Sequence, residues 1–243
     1  MIEGKTHVES LDARHELQVA DVSGLSTQLP PDSTVRRMTL NMGPQHPSTH
    51  GVLRVVLELD GETILSARPE IGYLHTGIEK QFEVKKYQQG VPLTDRVDYL
   101  SNLNNNLCYS LAVERLLQLE IPPKAQWMRV MPFELSRIAS HLIWLGTHAL
   151  DIGAMTVYFY CFREREEIIK IFEMFSGQRM MTSYIRIGGL ALEPPRGWHA
   201  VVSKVVERLA SGIEEYHELL SSNPIWVNRT KGVGLLPVDL MLE

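Results

Sequence analysis

The sequence predicts an α+β protein, a small antiparallel β-domain near the N-terminus followed by a bundle of long helices. Two observations predict it. Between residues 35 and 68 apolar residues recur with the strand period of two around an Asp60-Gly61 turn, and from Ile78 onward the spacing becomes helical. Strands and helices are therefore segregated along the chain rather than alternating, the mark of α+β and not α/β organisation. At 243 residues and 44% hydrophobic content, the chain is long enough to bury a substantial core.

The elements follow in order. Residues 1–34 mix charges of both signs and end in Pro30-Pro31-Asp32-Ser33, so they read as an extension that is ordered only where it docks on a neighbour. Residues 35–77 make the β-domain: strands at 35–41 and 51–59, then Asp60-Gly61 as a hairpin turn into a returning strand at 63–68. Residues 78–243 make the bundle. A helix opens at Ile78, and a long one is expected over 102–120, with apolar residues at Leu107, Leu111 and within 113–117, and Pro122-Pro123 as its stop. A second long helix is expected to start near Pro132, because proline suits a first turn and Glu134 suits the positive end of the helix dipole. Along it Arg137, His141, Leu145 and His148 follow at spacings of four, four and three, which places them on one face. Residues 157–175 and 200–222 are two further helices, 228–234 read as loop, and 238–243 begin a last helix.

Composition excludes several function classes. A net charge of -5 with both signs interspersed does not offer the basic face of a nucleic-acid-binding protein. No apolar run approaches the roughly 18 to 20 residues of a membrane span, so membrane association is expected to come through partners. The N-terminus lacks the apolar core of a secretory signal, which with only two cysteines, Cys108 and Cys161, points to a reducing cytoplasmic compartment. No Cys-x-x-Cys or His/Cys zinc spacing occurs, so the chain is expected to bind neither a metal nor an iron-sulfur cluster. No glycine-rich dinucleotide fingerprint occurs either, so a nicotinamide cofactor is expected to bind elsewhere.

One block stands out: Asn41-Met42-Gly43-Pro44-Gln45-His46-Pro47-Ser48-Thr49-His50-Gly51-Val52-Leu53-Arg54. It places two histidines in a loop whose path is fixed by glycine and proline, just before a strand, and a loop held on a rigid element is where binding chemistry commonly sits. Three more blocks follow in order at residues 72–80, 94–101 and 148–154: Gly72-Tyr73-Leu74-His75-Thr76-Gly77-Ile78-Glu79-Lys80, then Thr94-Asp95-Arg96-Val97-Asp98-Tyr99-Leu100-Ser101, then His148-Ala149-Leu150-Asp151-Ile152-Gly153-Ala154. On these blocks the chain resembles the quinone-pocket subunits of respiratory complex I, the D subunits (49 kDa family) of bacterial NADH:quinone oxidoreductases, which are related to the large subunits of nickel-iron hydrogenases. The resemblance covers residues 35–243.

It implies a hydrogenase large-subunit-like fold and a place in a proton-translocating NADH:quinone oxidoreductase, a translocase. In that family the terminal [4Fe-4S] cluster lies in an adjacent small subunit and passes electrons to a quinone substrate in the cleft between the two chains. A membrane-arm subunit supplies the quinone channel, and the complex places the family's quinone-pocket chain peripherally on the cytoplasmic side of the inner membrane. The resemblance assigns His50 to one quinone carbonyl and Tyr99 to the other. A phenol with a pKa near 10 stays protonated at neutral pH and can donate a hydrogen bond or a proton. Asp151 corresponds to the carboxylate that pairs with the histidine matching His50, and a carboxylate beside an imidazole favours its charged form. His46 either lines the pocket or orders the loop.

Arg96, Arg137, His141, His148, Arg186 and Glu70 are weaker candidates, since a charged stripe on a helix is more often a solvated or partner-facing surface. Thr76 follows His75 where some family members carry arginine, which removes a cation from near the neighbouring cluster. Ile187 replaces the family's usual proline after Arg186, a packing change. Family members extend well beyond the position matching Glu243, so the chain is expected to be C-terminally truncated relative to them: a fragment, one of two companion chains, or a defective product. Two other readings stay open. One is a non-catalytic truncated product or assembly component, and the other a hydrogenase-type large subunit, which would need an early Cys-x-x-Cys pair for nickel.

Overall fold

The computed structural model describes residues 37–46 and 51–242. The chain divides into two compact units, Met1–Thr76 and Gly77–Glu243.

The first unit holds a three-stranded antiparallel sheet in the order β1 (Arg37–Met42), β2 (Arg54–Asp60), β3 (Thr63–Glu70). The central strand shows the expected alternation, with Leu57 and Leu59 buried on either side of exposed Glu58. Leu40 of β1 and Ala67 of β3 stand opposite Leu57. The pairing of Asp60 with Thr63 leaves Gly61-Glu62 as the hairpin turn, one residue later than expected, and Gly61 takes the positive φ of 61° that this turn demands. At the far end Arg54 ties the three strands together, donating to Asn41 Oδ1 at 3.0 Å and pairing with Glu70 at 3.2 Å.

The second unit is helical, with α1 (Ile78–Val84), α2 (Tyr87–Thr94), α3 (Asn102–Leu117), α4 (Pro123–Ile152), α5 (Met155–Ser176), α6 (Trp198–Leu220), α7 (Pro224–Thr230) and α8 (Val238–Leu242). A two-residue hairpin, β4 (Ile185–Arg186) and β5 (Gly189–Leu190), stands between α5 and α6. The main core forms where α4, α5 and α6 meet, around Leu142, Ala149, Cys161, Ile168, Leu209 and Tyr216.

Three further expectations from the sequence need correction, and one helix, α2, was not foreseen. The second long helix starts at Pro123, not near Pro132, and runs 30 residues, about 45 Å. Pro123 sits at the first helical position, where a missing N–H costs nothing, so the Pro122-Pro123 pair opens a helix as well as closing the previous one. Pro132 lies inside α4 and is buried, lining a small void with Leu103, Phe172, Phe175 and Tyr184. Packing at that point outweighs the hydrogen bond it removes from the helical ladder. The preceding helix, α3, ends at Leu117 because Gln118 adopts the left-handed conformation, φ 53°. Helix α2 is obscured in the sequence by Gly90 and Pro92. Gly90 is required by close approach, since a Cβ there would stand 2.4 Å from the Tyr109 hydroxyl and 2.6 Å from Phe82. Helix α7 occupies part of the segment read as loop. Asn223 caps it, accepting from the backbone N–H groups of Ile225 and Trp226, and Pro224 follows at the first position.

Candidate functional site

Tyr99 lies in the turn between α2 and α3, and that turn is held from both sides. Asp95, fully buried, accepts from the Ser183 backbone N–H at 3.1 Å, from the Ser183 hydroxyl at 2.5 Å and from the Asn102 side-chain amide at 3.3 Å. Asp98 accepts from the Leu100 N–H at 3.1 Å through its side chain, and its carbonyl accepts from Asn105 at 3.3 Å. Arg96 folds back onto the Pro92 carbonyl at 2.7 Å, which makes it part of the turn's scaffold. The local backbone is thus fixed while the Tyr99 side chain remains 54% exposed. A phenol presented this way can donate a hydrogen bond to an incoming carbonyl with little reorganisation of its support.

The floor under this turn is polar. Asn102, Asn106, Ser110 and Glu114 recur every four residues along α3, and all four are buried. Asn106 donates to the Val91 carbonyl at 3.2 Å and to the Thr94 hydroxyl at 2.9 Å. Glu114 receives both terminal nitrogens of Arg129, at 2.9 and 2.5 Å, and also the Gly188 N–H at 2.8 Å. Arg129 in turn donates to the carbonyls of Arg186 at 2.7 Å and Gly189 at 3.1 Å. Two opposite charges, their side chains only 3% and 4% exposed, therefore satisfy one another and clamp the β4–β5 hairpin. Arg186 projects from that hairpin, exposed, its Nε donating to the Ser183 carbonyl at 3.1 Å.

Asp151 is exposed in the last turn of α4. The helix stops there because Gly153 adopts φ 105°, and Arg229 of α7 donates to the Ile152 carbonyl at 2.5 Å. His148, three residues before Asp151, packs its ring against Trp144 with centroids 5.2 Å apart. Arg137 is engaged locally, pairing with Glu134 at 2.9 Å and lying over the Phe133 ring at 5.0 Å. His141 and Leu145 face a groove between α4 and α6. Tyr99 and Asp151 thus come from separate elements of the helical unit.

In the first unit His46 is exposed and forms a β-bridge with Gly51, following a cis peptide bond between Gly43 and Pro44. His50 lies outside the described residues. Glu70 joins Arg54 and Arg68 at the end of the sheet, both at 3.2 Å, and His75 is exposed. Among the described residues no group of three or more His, Cys, Asp or Glu side chains is arranged to hold a metal ion. No helix there is long and apolar enough to cross a membrane.

The buried charges were missed by sequence reasoning. Asp95 stands in one of the four blocks, overshadowed by Tyr99. Glu114 and Arg129 are separated by a proline pair that reads only as a break. A usable signal existed, the four-residue recurrence of polar side chains along α3, which no solvated face would need to bury.

Residues 151–243 match the family described as respiratory-chain NADH dehydrogenase, 49 Kd subunit. Over 208 residues, 86% of its length, the chain is 70% identical to the NADH-quinone oxidoreductase D subunit, form 1, of Solibacter usitatus, of which it covers 51%. It is 65% identical over 199 residues to the D subunit, form 2, of Koribacter versatilis, covering 82% of this chain and 50% of that one. Against the form 2 D subunit of Chloroflexus aurantiacus the identity is 61% over 199 residues, covering 82% and 48%. The chain spans about half the length of the curated relatives it matches.

Proposed function

Since this chain belongs to the 49 kDa family, the D subunits of NADH-quinone oxidoreductases, we propose that it holds the quinone headgroup in a proton-translocating complex of that type. The observation that carries the proposal is the Tyr99 turn: a half-exposed phenol on a backbone pinned by Asp95 and Asp98. Reduction of a quinone to a quinol takes two electrons and two protons, one proton to each carbonyl oxygen. Tyr99 donates its hydroxyl hydrogen bond to one carbonyl and supplies a proton as negative charge develops there. The family's pattern assigns the other carbonyl to His50 and proton handling to the Asp151 carboxylate. His46, bridged to Gly51, orders the base of the histidine loop.

The electrons come from a [4Fe-4S] cluster carried by an adjacent small subunit. Quinone enters through a membrane-arm subunit, so this chain sits peripherally on the cytoplasmic side of the inner membrane. NADH is oxidised on another chain of the complex. Photolabelling tests this reading. A short-chain quinone bearing a photoreactive group, irradiated with the assembled complex, is expected to label the peptide containing residues 95–101 in competition with unmodified quinone. Labelling confined to other chains would overturn it.

A further inference from the structure

Residues of α2 and of the β4–β5 hairpin line a cavity of about 460 Å³, within the size range of small-molecule sites. Val91, Pro92 and Ile187 give it an apolar floor. Its polar side chains are mainly Gln88, Gln89 and Arg186, and they are donors. Arg186 is exposed, and its Nε donates to the Ser183 carbonyl at 3.1 Å, which fixes the guanidinium. Its two terminal nitrogens find no acceptor among the described residues. Gln89 accepts the Lys86 N–H through Oε1 at 3.0 Å, so the end of its amide left over is the donating one.

No carboxylate stands among the described lining residues. Asp95 reaches the lining only through Ser183, and its oxygens are taken up by the Ser183 N–H and hydroxyl and by the Asn102 amide. One unneutralised positive charge with amide donors beside it, over an apolar floor, suits an anion that carries an apolar body. A carboxylate can take two guanidinium N–H groups side by side.

The walls also carry the tethers of the Tyr99 turn. The Pro92 carbonyl accepts from Arg96 at 2.7 Å, the Val91 carbonyl accepts from the Thr94 hydroxyl at 2.8 Å, and Ser183 donates to Asp95. Tyr99 itself is not part of the lining. We propose that this cavity binds a small organic anion, an aryl or short alkyl carboxylate, whose charged end meets Arg186, Gln88 and Gln89 while its body lies on Val91, Pro92 and Ile187. The inference stands apart from the quinone-site reading.

The test titrates the full 243-residue chain with para-fluorobenzoate and, separately, with its uncharged isostere para-fluorobenzamide, followed by fluorine NMR. The benzoate is expected to bind saturably, about tenfold or more tighter than the benzamide. Arg186→Gln and Gln88→Glu, both at exposed positions, are each expected to weaken benzoate binding about tenfold or more while leaving helical circular dichroism unchanged. Arg115→Gln, which removes an exposed cation outside the lining, and Tyr99→Phe both leave binding intact. Four results would overturn the proposal: no saturable binding at millimolar concentration, equal affinity for the two probes, benzoate binding indifferent to Arg186→Gln and Gln88→Glu, or benzoate binding lost in Tyr99→Phe, which would put the probe at the phenol instead.

Discussion

Asp95 accepts hydrogen bonds from both the backbone N–H and the hydroxyl of Ser183, 88 residues further along the chain. This contact joins the Tyr99 turn to the segment leading into the β4–β5 hairpin, so the phenol's platform is a tertiary and not a local structure. Replacing Asp95 by Ala leaves the part-buried N–H and hydroxyl of Ser183 without this acceptor, while the Asn102 amide keeps its bond to the Thr182 hydroxyl at 3.1 Å. Hydrogen bonds to a charged group are worth about 1.5 to 3 kcal/mol each. Asp95→Ala is therefore expected to lower unfolding free energy by about 3 kcal/mol in urea titration, and Asp95→Asn by less.

The Glu114–Arg129 pair makes a second, sharper prediction. Removing one partner of a buried ion pair strands the other charge, at about 3 to 5 kcal/mol, whereas replacing both by apolar residues is often close to neutral. Glu114→Leu or Arg129→Met alone should lower the melting temperature severely. The double variant should regain most of the loss, less the cost of freeing the Gly188 N–H and the Arg186 and Gly189 carbonyls.

Burial pushes the Cys161 thiol up to about 11, against an ordinary value of 9, at the centre of the core. A thiol held protonated by the fold contributes its stability in full below pH 9 and loses it as pH rises toward 11. The expected loss over that interval is about 2 to 3 kcal/mol. Burial pushes the Tyr184 phenol up as well, to about 12, so the decline continues above pH 11. Chemical denaturation at a series of pH values checks this: the slope between pH 9 and 11 should flatten in Cys161→Ala. In the native protein a thiol reagent should modify exposed Cys108 quickly and Cys161 only on unfolding.

Gly90→Ala should destabilise the α2–α3 contact by about 1 to 3 kcal/mol, because the added methyl meets Tyr109 and Phe82 well inside van der Waals distance. Shortening the opposing side chain with Tyr109→Phe removes the nearest clash along with a hydrogen bond to the Tyr87 carbonyl. The two substitutions together should therefore cost less than the sum of each alone, as a double-mutant cycle of thermal melts would show.

Local signals carried much of the fold. The three strands were readable from alternation around Asp60-Gly61, and α5, α6 and α8 from helical spacing, because in each the local preference and the tertiary burial agree. Pro132 shows where they part: its sequence context suggests a helix start, and only the apolar partners around it explain its place inside α4. Helix α2 was hidden for the same reason, since the glycine that breaks the pattern is there for Tyr109. Of the candidate site, Tyr99 and Asp151 were singled out as members of ordered blocks. Asp95 and the Glu114–Arg129 clamp were not, because their partners at 183–189 are brought in by the path of the chain and leave no trace in local spacing.

The proposed quinone chemistry depends on the Tyr99 hydroxyl, and Tyr99→Phe in the assembled complex isolates that one atom. Asp95 and Asp98 hold the turn without it, so assembly should be unchanged. Loss of a positioned proton donor should lower quinone-dependent turnover by about a hundredfold or more, with electron transfer from NADH to an artificial acceptor preserved. Unchanged quinone turnover in a fully assembled Tyr99→Phe complex would contradict the role proposed for this phenol.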